Sequence, residues 1–436
     1  MKWPLSRLVM LFIGLATVLA HGRTWTEAAT GKKIEADYVS SNASNVTLSS
    51  GGGKTFDISL ARLSVDDQAF VRQQALPAPN VEDRFKDIVK LDAATIPVNG
   101  EVNVELKDVD EAIKQFMAEK GIPALTFAIS KGGNVIYDRA FGWADSDLKT
   151  ALKPGVKMRV ASMTKPVVSA AVHTLFDNQQ LKPSDLVFAV LNLAQYPEAK
   201  ECDTRWKLVT IQNLLDHKGG WNRAKSGDFT NDSTKMTAKY GVKLNELQPT
   251  HVVRYGLTRL MDADPGTAYA YCNFGYILLV RVIEKVSGQK FMDYLQATVA
   301  KEAGAPSFSL SSSDARDRQP GETWYCYHPE YPKAEVPLSF RTESRDGAGI
   351  LACTAADYCR FLETYWISGL SRKPGAKYIY SFAGSHPGVT AICSQRSDGL
   401  NYAAIANRRG GGATDWNADL RKAIDAALEP VAGKLK

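Results

Sequence analysis

The sequence lacks the patterns by which metal-binding, disulfide-rich and nucleic-acid-binding proteins are usually recognised. Its 436 residues include six cysteines and six histidines, but no Cys-x-x-Cys pair and no histidines at ligand spacing. We therefore expect neither a metal site nor a cofactor, and no disulfide scaffold in a chain of this length. The net charge of +6 is small and is not gathered in a basic run, so no nucleic-acid partner is expected.

The apolar run near the N-terminus is too short for a membrane anchor. Lys2 and Arg7 precede residues 8–19, which are apolar and lead into the small residue Ala20. About twelve apolar residues do not span a bilayer stably, whereas this arrangement is typical of a signal peptide. We predict cleavage after Ala20, export to the periplasm or medium, and no integral membrane segment afterwards. An uncleaved membrane tether is the alternative.

The chain after the predicted signal peptide (residues 1–20) divides into three segments. Residues 22–74 alternate short apolar runs with Gly-rich and Ser-Asn-rich turns, which predicts a small β-barrel module. Residues 75–104 hold three prolines and few periodic apolar positions, so we interpret them as a linker. Residues 105–430 form the large domain.

The large domain has strand and helix patterns at both ends and helical patterns between them. Its end segments are a helix over 108–121, a hairpin over 124–141, a second hairpin over 389–407 and a helix from Trp416. This order predicts an α+β fold. An antiparallel sheet would be built from both ends and flanked by N- and C-terminal helices, with a helical lobe inserted at about 162–366.

The stretch around Ser162 has the pattern of a catalytic nucleophile. Ser162 and Lys165 stand three apart at the start of an apolar helix pattern, which places a hydroxyl and an amine on one face. A serine hydroxyl needs a base, and a buried lysine with a lowered pKa can supply one. Ser162 could instead be an exposed cap residue. The motif occurs twice more, in contexts that do not suit this chemistry, at Ser146/Lys149 and Ser287/Lys290.

A second candidate element is Tyr271-Cys272-Asn273, the only Tyr-x-Asn in the sequence. Residues i and i+2 of an extended loop point the same way, so a phenol and a carboxamide could face one cleft. The alternative is a helix-entry loop in which Asn273 caps the helix and Tyr271 packs.

Together these stretches resemble the serine β-lactamase and penicillin-binding-protein-like hydrolases, closest to the class C β-lactamases and their esterase and D-peptidase relatives. The resemblance covers about 105–430 and rests on four signatures in order: residues 162–165, 214–221, 271–276 and 347–357. It implies the β-lactamase/transpeptidase-like fold. Separately, Trp25-Thr26, residues 31–36 and Leu63-Ser64 resemble the Src-homology-3-like modules attached to exported bacterial enzymes.

The resemblance to these hydrolases implies an acyl-enzyme mechanism. Ser162 would attack a carbonyl, while Lys165 and Tyr271 would share the acid/base work, and either could take the serine proton. Asn273 would hydrogen-bond the amide side chain of the substrate. The backbone N–H groups of Ser162 and Ser385 would form the oxyanion hole.

The third motif of the family departs from its pattern here. A cationic residue, any residue and glycine are expected, but the matching stretch is Phe382-Ala383-Gly384-Ser385. A shifted register would read His386-Pro387-Gly388, although proline cannot donate an N–H to a central ladder. We expect Gly384, Ser385 and His386 to contact the substrate, with His386 as a possible replacement for the cation. Loss of the cation favours neutral esters over carboxylate-bearing β-lactams and peptides.

The sequence therefore predicts an exported serine hydrolase that acts on ester or amide substrates, of the esterase, D-peptidase or β-lactamase type. Its partner would be a small-molecule or peptide acyl substrate. The alternative, favoured by Phe382, is a catalytically weak relative that binds cell-wall peptides or a protein partner. Three aromatic residues could line the cleft, although packing is the commoner role: Trp221, Tyr325 and Tyr327.

Overall fold

The computed structural model describes most of the chain, in two separate units. The described residues are 23–41, 45–50, 55–64, 66–68, 70–71, 91–312, 318–326, 341–372, 380–410 and 416–435. The units are Met1–Arg84 and Phe85–Lys436. The predicted signal peptide lies outside the described residues. Among the helices in these ranges, none is both long enough and apolar enough to cross a membrane.

The N-terminal unit contains a four-stranded antiparallel sheet around one buried tryptophan. Its strands, in sheet order, are β1 (Arg23–Thr26), β2 (Lys33–Ser41), β3 (Asn45–Ser49) and β4 (Thr55–Ser59). Trp25 is buried, and its Nε1 donates to the carbonyl of Ala36 at 2.9 Å. An isolated bridge pairs Glu27 with Leu63, which brings the chain after β4 back to β1. The likeness to Src-homology-3-like modules stays a prediction.

The large unit is built around a six-stranded antiparallel sheet. Its strands are β5 (Val98–Gly100), β6 (Ala124–Lys131), β7 (Asn134–Gly142), β8 (Met158–Arg159), β9 (Ser309–Leu310), β10 (Leu351–Cys353), β11 (Tyr380–His386), β12 (Val389–Gln395) and β13 (Leu400–Ala406). The main sheet has the order β11-β12-β13-β6-β7-β5, and a small sheet has the order β8-β10-β9. Because β13 pairs with β6, the two ends of the domain meet at the middle of the sheet, as predicted.

Helices cover both faces of the main sheet. The longer ones in the described ranges are α1 (Lys107–Lys120), α2 (Thr164–Asp177), α3 (Ser233–Tyr240), α4 (Pro249–Leu257), α5 (Asn273–Ser287), α6 (Ala355–Thr364) and α7 (Trp416–Leu428). Alternate residues of β6 face opposite sides: Leu125 and Phe127 share a core with α1 and α7, whereas Ala124 and Ala128 face the helical lobe. This arrangement confirms the predicted α+β architecture.

One boundary differs from the prediction. Residues 98–100 fall in the predicted linker, but they form β5 and pair with β7 at the sheet edge. A strand of three residues is too short to show an alternating apolar pattern. Gly100 fits there because its φ is +111° and an added Cβ would lie 2.3 Å from the carbonyl oxygen of Asp138. The large domain therefore begins before the predicted boundary at 105.

Candidate active site

Ser162 lies in a tight turn between β8 and α2. Residues Ala161–Met163 form a single 3-10 turn that leads directly into the helix. Ala161 has a φ of +46°, a left-handed conformation that residues with a Cβ rarely adopt. Such strain is commonly held at functional sites. The helix cap is Met163, without a side-chain cap bond, so Ser162 is not the exposed cap of the alternative interpretation.

The two predicted acid/base residues both reach the Ser162 hydroxyl. Lys165 Nζ lies 3.2 Å from Ser162 Oγ, and the Tyr271 hydroxyl donates to the same Oγ at 2.8 Å. The lysine amine also donates to the carbonyl oxygen of Ala348 at 2.7 Å. Side chains from two separate signatures are thus fixed around one oxygen atom, as nucleophilic catalysis requires.

Burial moves the pKa values of the two neighbours in opposite directions. Lys165 is 1% exposed, and burial, followed by the charge of Arg345, lowers its pKa well below the usual value. Burial raises the pKa of Tyr271 to about 12, against the lowering effect of its hydrogen bond with Ser162. Lysine is therefore shifted toward the neutral amine and tyrosine stays protonated. This favours Lys165 as the group that takes the serine proton.

His217, in the second signature, holds the loop that carries Tyr271. Its carbonyl accepts from the N–H of Ala270 at 2.8 Å, and its Nδ1 accepts from the N–H of Cys272 at 3.1 Å. Its ring centre lies 4.6 Å from that of Tyr271. Burial lowers the pKa of His217 to about 4, so the ring is neutral at neutral pH and Nδ1 can accept. The signature thus positions the tyrosine from both sides.

The fourth signature brings a short helical turn, Asp346–Gly349, against the nucleophile. A Cβ on Gly347 would lie 2.0 Å from the carbonyl oxygen of Tyr276, and one on Gly349 would lie 3.2 Å from the carbonyl carbon of Ala161. Both positions therefore favour glycine. The close approach presents the carbonyl of Ala348 to the amine of Lys165.

The third motif lies on β11 in the unshifted register. His386 pairs with Val389 across the turn Pro387-Gly388, so the proline is outside the ladder. Residues that flank a two-residue turn form a hydrogen-bonded pair, so the next pair, Ser385 and Thr390, is not hydrogen-bonded. The N–H of Ser385 therefore points away from β12, toward the side of β11 on which no other described strand is paired. Its role in an oxyanion hole stays a prediction.

Gly384 lies where β11 touches the nucleophile turn. A Cβ at this position would be 2.1 Å from the carbonyl oxygen of Val160. On the other side, the carbonyl of Gly384 accepts from Nδ2 of Asn417 at 3.0 Å. These contacts fix the position of β11, and therefore of Ser385, relative to Ser162.

The structure does not favour His386 as a replacement for the missing cation. The ring is buried, and burial, with the nearby charge of Arg159 as the next cause, lowers its pKa to about 3. His386 is therefore uncharged at neutral pH, although it lines the cleft. Phe382, at the cation position itself, packs against the core.

Two of the aromatic residues considered for the cleft belong to the core. Trp221 packs against Trp206, with ring centres 4.8 Å apart, and Tyr325 is fully buried with its hydroxyl donating to Glu322 at 2.7 Å. Tyr327 lies outside the described residues. The packing role that is commoner for such residues is confirmed for these two.

A cleft of about 280 Å³ opens beside Ser162 and contains most of the predicted substrate-binding residues. Asn273, Ser385 and His386 line it together with the nucleophile. Asn273 begins α5, where the cap position is Cys272, so it is not the cap of the alternative interpretation. Within the described ranges, no group of three or more His, Cys, Asp or Glu side chains could hold a metal ion.

An ion pair in the cleft was not predicted. Nδ2 of Asn273 donates to Oδ2 of Asp228 at 2.6 Å, and the Arg345 guanidinium lies 3.6 Å from the same oxygen. Burial alone would raise the pKa of Asp228. The charge of Arg345 and the hydrogen bonds to the carboxylate lower the pKa by more, so the net shift is a decrease. Neither charged residue belongs to a short motif, so the sequence offered no local signal for the pair.

Replacing Arg345 with glutamine is expected to move the acidic limb of the pH–rate profile to higher pH. The positive charge of Arg345 lowers the pKa of Lys165, and Lys165 can take the serine proton only as the neutral amine. Removing the charge raises that pKa, so activity is lost at a higher pH as the solution is acidified. The measurement is kcat/KM for an ester against pH, with Arg421→Gln, on the exposed part of α7, as the control. An acidic limb that stays in place or moves to lower pH would contradict the assignment of Lys165 as the group that takes the serine proton.

Comparison with known proteins agrees with the geometry. The family model described as Beta-lactamase matches residues 109–377, which is more than half of the chain. The chain belongs to the beta-lactamase family. The human mitochondrial protein named serine beta-lactamase-like protein LACTB is 25% identical over 232 residues, 41% of this chain and 42% of that protein. The chain spans less than half the length of the first curated relatives that it matches.

Solved structures of other proteins share the fold. D-amino acid amidase from Ochrobactrum anthropi SV3, complexed with D-phenylalanine, has a TM-score of 0.58 at 16% identity, covering 75% of this chain and 100% of that one. A class C beta-lactamase has a TM-score of 0.57 at 15% identity, covering 74% and 96%. At such identities the likeness shows the β-lactamase/transpeptidase-like fold and does not choose among substrates.

Proposed function

We propose that this chain is a serine hydrolase that forms an acyl-enzyme at Ser162 and acts on ester or amide substrates. The observation that carries the proposal is the approach of Lys165 Nζ and the Tyr271 hydroxyl to Ser162 Oγ, at 3.2 and 2.8 Å. A purely structural serine does not need a buried lysine whose pKa is lowered and a tyrosine whose pKa is raised.

The proposed reaction uses the two neighbours in different roles. The neutral amine of Lys165 accepts the proton of Ser162 while Oγ attacks the substrate carbonyl. The oxyanion is bound by the N–H groups of Ser162 and Ser385, each donor contributing about 10²–10³ in rate. The phenol of Tyr271 protonates the leaving group and regains a proton from the Lys165 ammonium. Water then attacks the acyl-enzyme with the same groups in reversed roles.

The ester, amide or β-lactam type of substrate belongs to the proposal, as does export of the chain. The amidase and the β-lactamase named above support the amide and β-lactam types through their fold alone. The second candidate function is binding of cell-wall peptide or a protein partner without efficient turnover. Phe382 at the third motif favours it, because no cationic side chain occupies that position.

Intact mass spectrometry distinguishes the two functions. Wild type and Ser162→Ala are each incubated with a fluorophosphonate probe and, separately, with a penicillin. The proposal predicts a fluorophosphonate adduct on wild type and none on Ser162→Ala. An additional penicilloyl adduct would indicate the β-lactamase or peptidase type, and its absence the esterase type. No adduct from either reagent would reject the hydrolase and leave the binding function.

A further inference from the structure

The cleft beside Ser162 carries an excess of positive charge. Among the described residues that line it, three are arginines, Arg223, Arg345 and Arg409, and one carries a carboxylate, Asp228. His386, also in the lining, is uncharged because its pKa is lowered to about 3, chiefly by burial. The sequence predicted a cleft that had lost its cation, so this charge balance is the reverse of the expectation.

One of the three arginines is already engaged. Arg345 lies 3.6 Å from Asp228, and its Nε donates to the Thr230 hydroxyl at 3.2 Å. Asp228 in turn accepts from Asn273. The charges of Arg345 and Asp228 therefore offset each other. The excess positive charge belongs to Arg223 and Arg409.

Arg223 stands beside the catalytic tyrosine. Its Cζ lies 4.7 Å from the ring centre of Tyr271, and no ion pair joins it to an acidic side chain in the described part of the chain. A guanidinium packed against an aromatic face keeps its N–H edge available for a planar anion. Arg409 lies near His386. Its charge lowers the pKa of His386, although burial and the charges of two other arginines lower that pKa more.

We propose that the substrate carries a carboxylate in its acyl portion and that Arg223 binds this carboxylate beside Tyr271 and Asn273. The proposal rests on the hydrolase function proposed above. Asn273, which lines the same cleft, is the residue expected to hold the acyl side chain, so an acyl-borne carboxylate comes within reach of Arg223. A carboxylate on the leaving group would instead meet Arg409, which lines the cleft near His386.

Three chromogenic esters test the proposal. Mono-p-nitrophenyl glutarate carries a carboxylate in the acyl group, p-nitrophenyl butyrate is neutral, and 3-carboxy-4-nitrophenyl butyrate carries the carboxylate on the leaving group. We expect kcat/KM of wild type for the glutarate to exceed that for the butyrate by about tenfold or more, through KM. Arg223→Gln should reduce this ratio by about tenfold, and high salt should reduce it in wild type.

The matched control is Arg259→Gln. The Arg259 guanidinium also lies over a tyrosine ring, 5.9 Å from the centre of Tyr255, but it does not line the cleft. This variant should keep the wild-type ratio. An unchanged ratio in Arg223→Gln would overturn the proposal. So would a preference for the carboxylated leaving group that Arg409→Gln abolishes.

Binding decides the proposal even without turnover. If wild type hydrolyses none of the three esters, monomethyl glutarate is titrated calorimetrically into wild type and Arg223→Gln, and the proposed function is judged separately by the fluorophosphonate and penicillin adducts. Binding to wild type that is about tenfold tighter supports the carboxylate site. Equal binding, or none, overturns it.

Discussion

Replacing Lys165 with methionine is expected to lower kcat/KM for an activated ester by about 10³-fold, within the range of general-base contributions. Methionine has a similar length and no charge, so it fills the buried space that the amine occupies. The reaction loses the group that lies 3.2 Å from Ser162 Oγ and that burial shifts toward the neutral form. Steady-state hydrolysis measures the loss, and a thermal melt verifies the fold.

The chain provides its own control for this variant. Lys149 belongs to another Ser-x-x-Lys copy, but its side chain is 78% exposed and lies 3.3 Å from Asp147. Lys149→Met should therefore leave the rate unchanged. A Lys165→Met protein that melts like wild type and keeps its activity would mean that another group takes the serine proton.

Gly384→Ala is expected to lower kcat by about 10²-fold, comparable to the loss of one oxyanion donor. The added Cβ would lie 2.1 Å from the carbonyl oxygen of Val160, so β11 must move away from the nucleophile turn. This movement takes the N–H of Ser385 out of line with Ser162. Ester hydrolysis and the rate of labelling by a fluorophosphonate both report the change.

Gly433→Ala is the matched control because, among the described residues other than its two chain neighbours, no atom lies within 4 Å of the Cβ position there. It should behave as wild type. Wild-type kcat in a folded Gly384→Ala protein would show that β11 does not supply an oxyanion donor.

Local sequence patterns were sufficient to predict the first helix of the large domain, the two hairpins and the residues around Ser162. Helix α1 ends at Lys120, and Gly121 follows in the left-handed conformation with a φ of +61°, which explains why glycine marked the predicted stop. The hairpins were visible because alternating apolar runs flank turn residues. Ser162, Lys165 and Tyr271 were predicted from motifs, and the structure brings them together.

What the sequence did not reveal depends on contacts between distant segments. Asp228 and Arg345 come from separate loops, and neither has a spacing that predicts the other. The positive φ of Ala161 follows from the packing around the turn, since alanine alone does not favour it. The charge balance of the cleft was misjudged for the same reason. The sequence showed that the third motif lacks its cation, but it did not show that arginines from other segments line the cleft.

The most direct test of the account is to trap the acyl-enzyme during turnover. Wild type hydrolysing a p-nitrophenyl ester is quenched in acid, digested and analysed by peptide mass spectrometry, alongside Ser162→Ala. The account predicts the mass of the acyl group on the peptide that contains Ser162, and no such mass in the variant. Turnover with the acyl group on another residue, or turnover that Ser162→Ala retains, would contradict it.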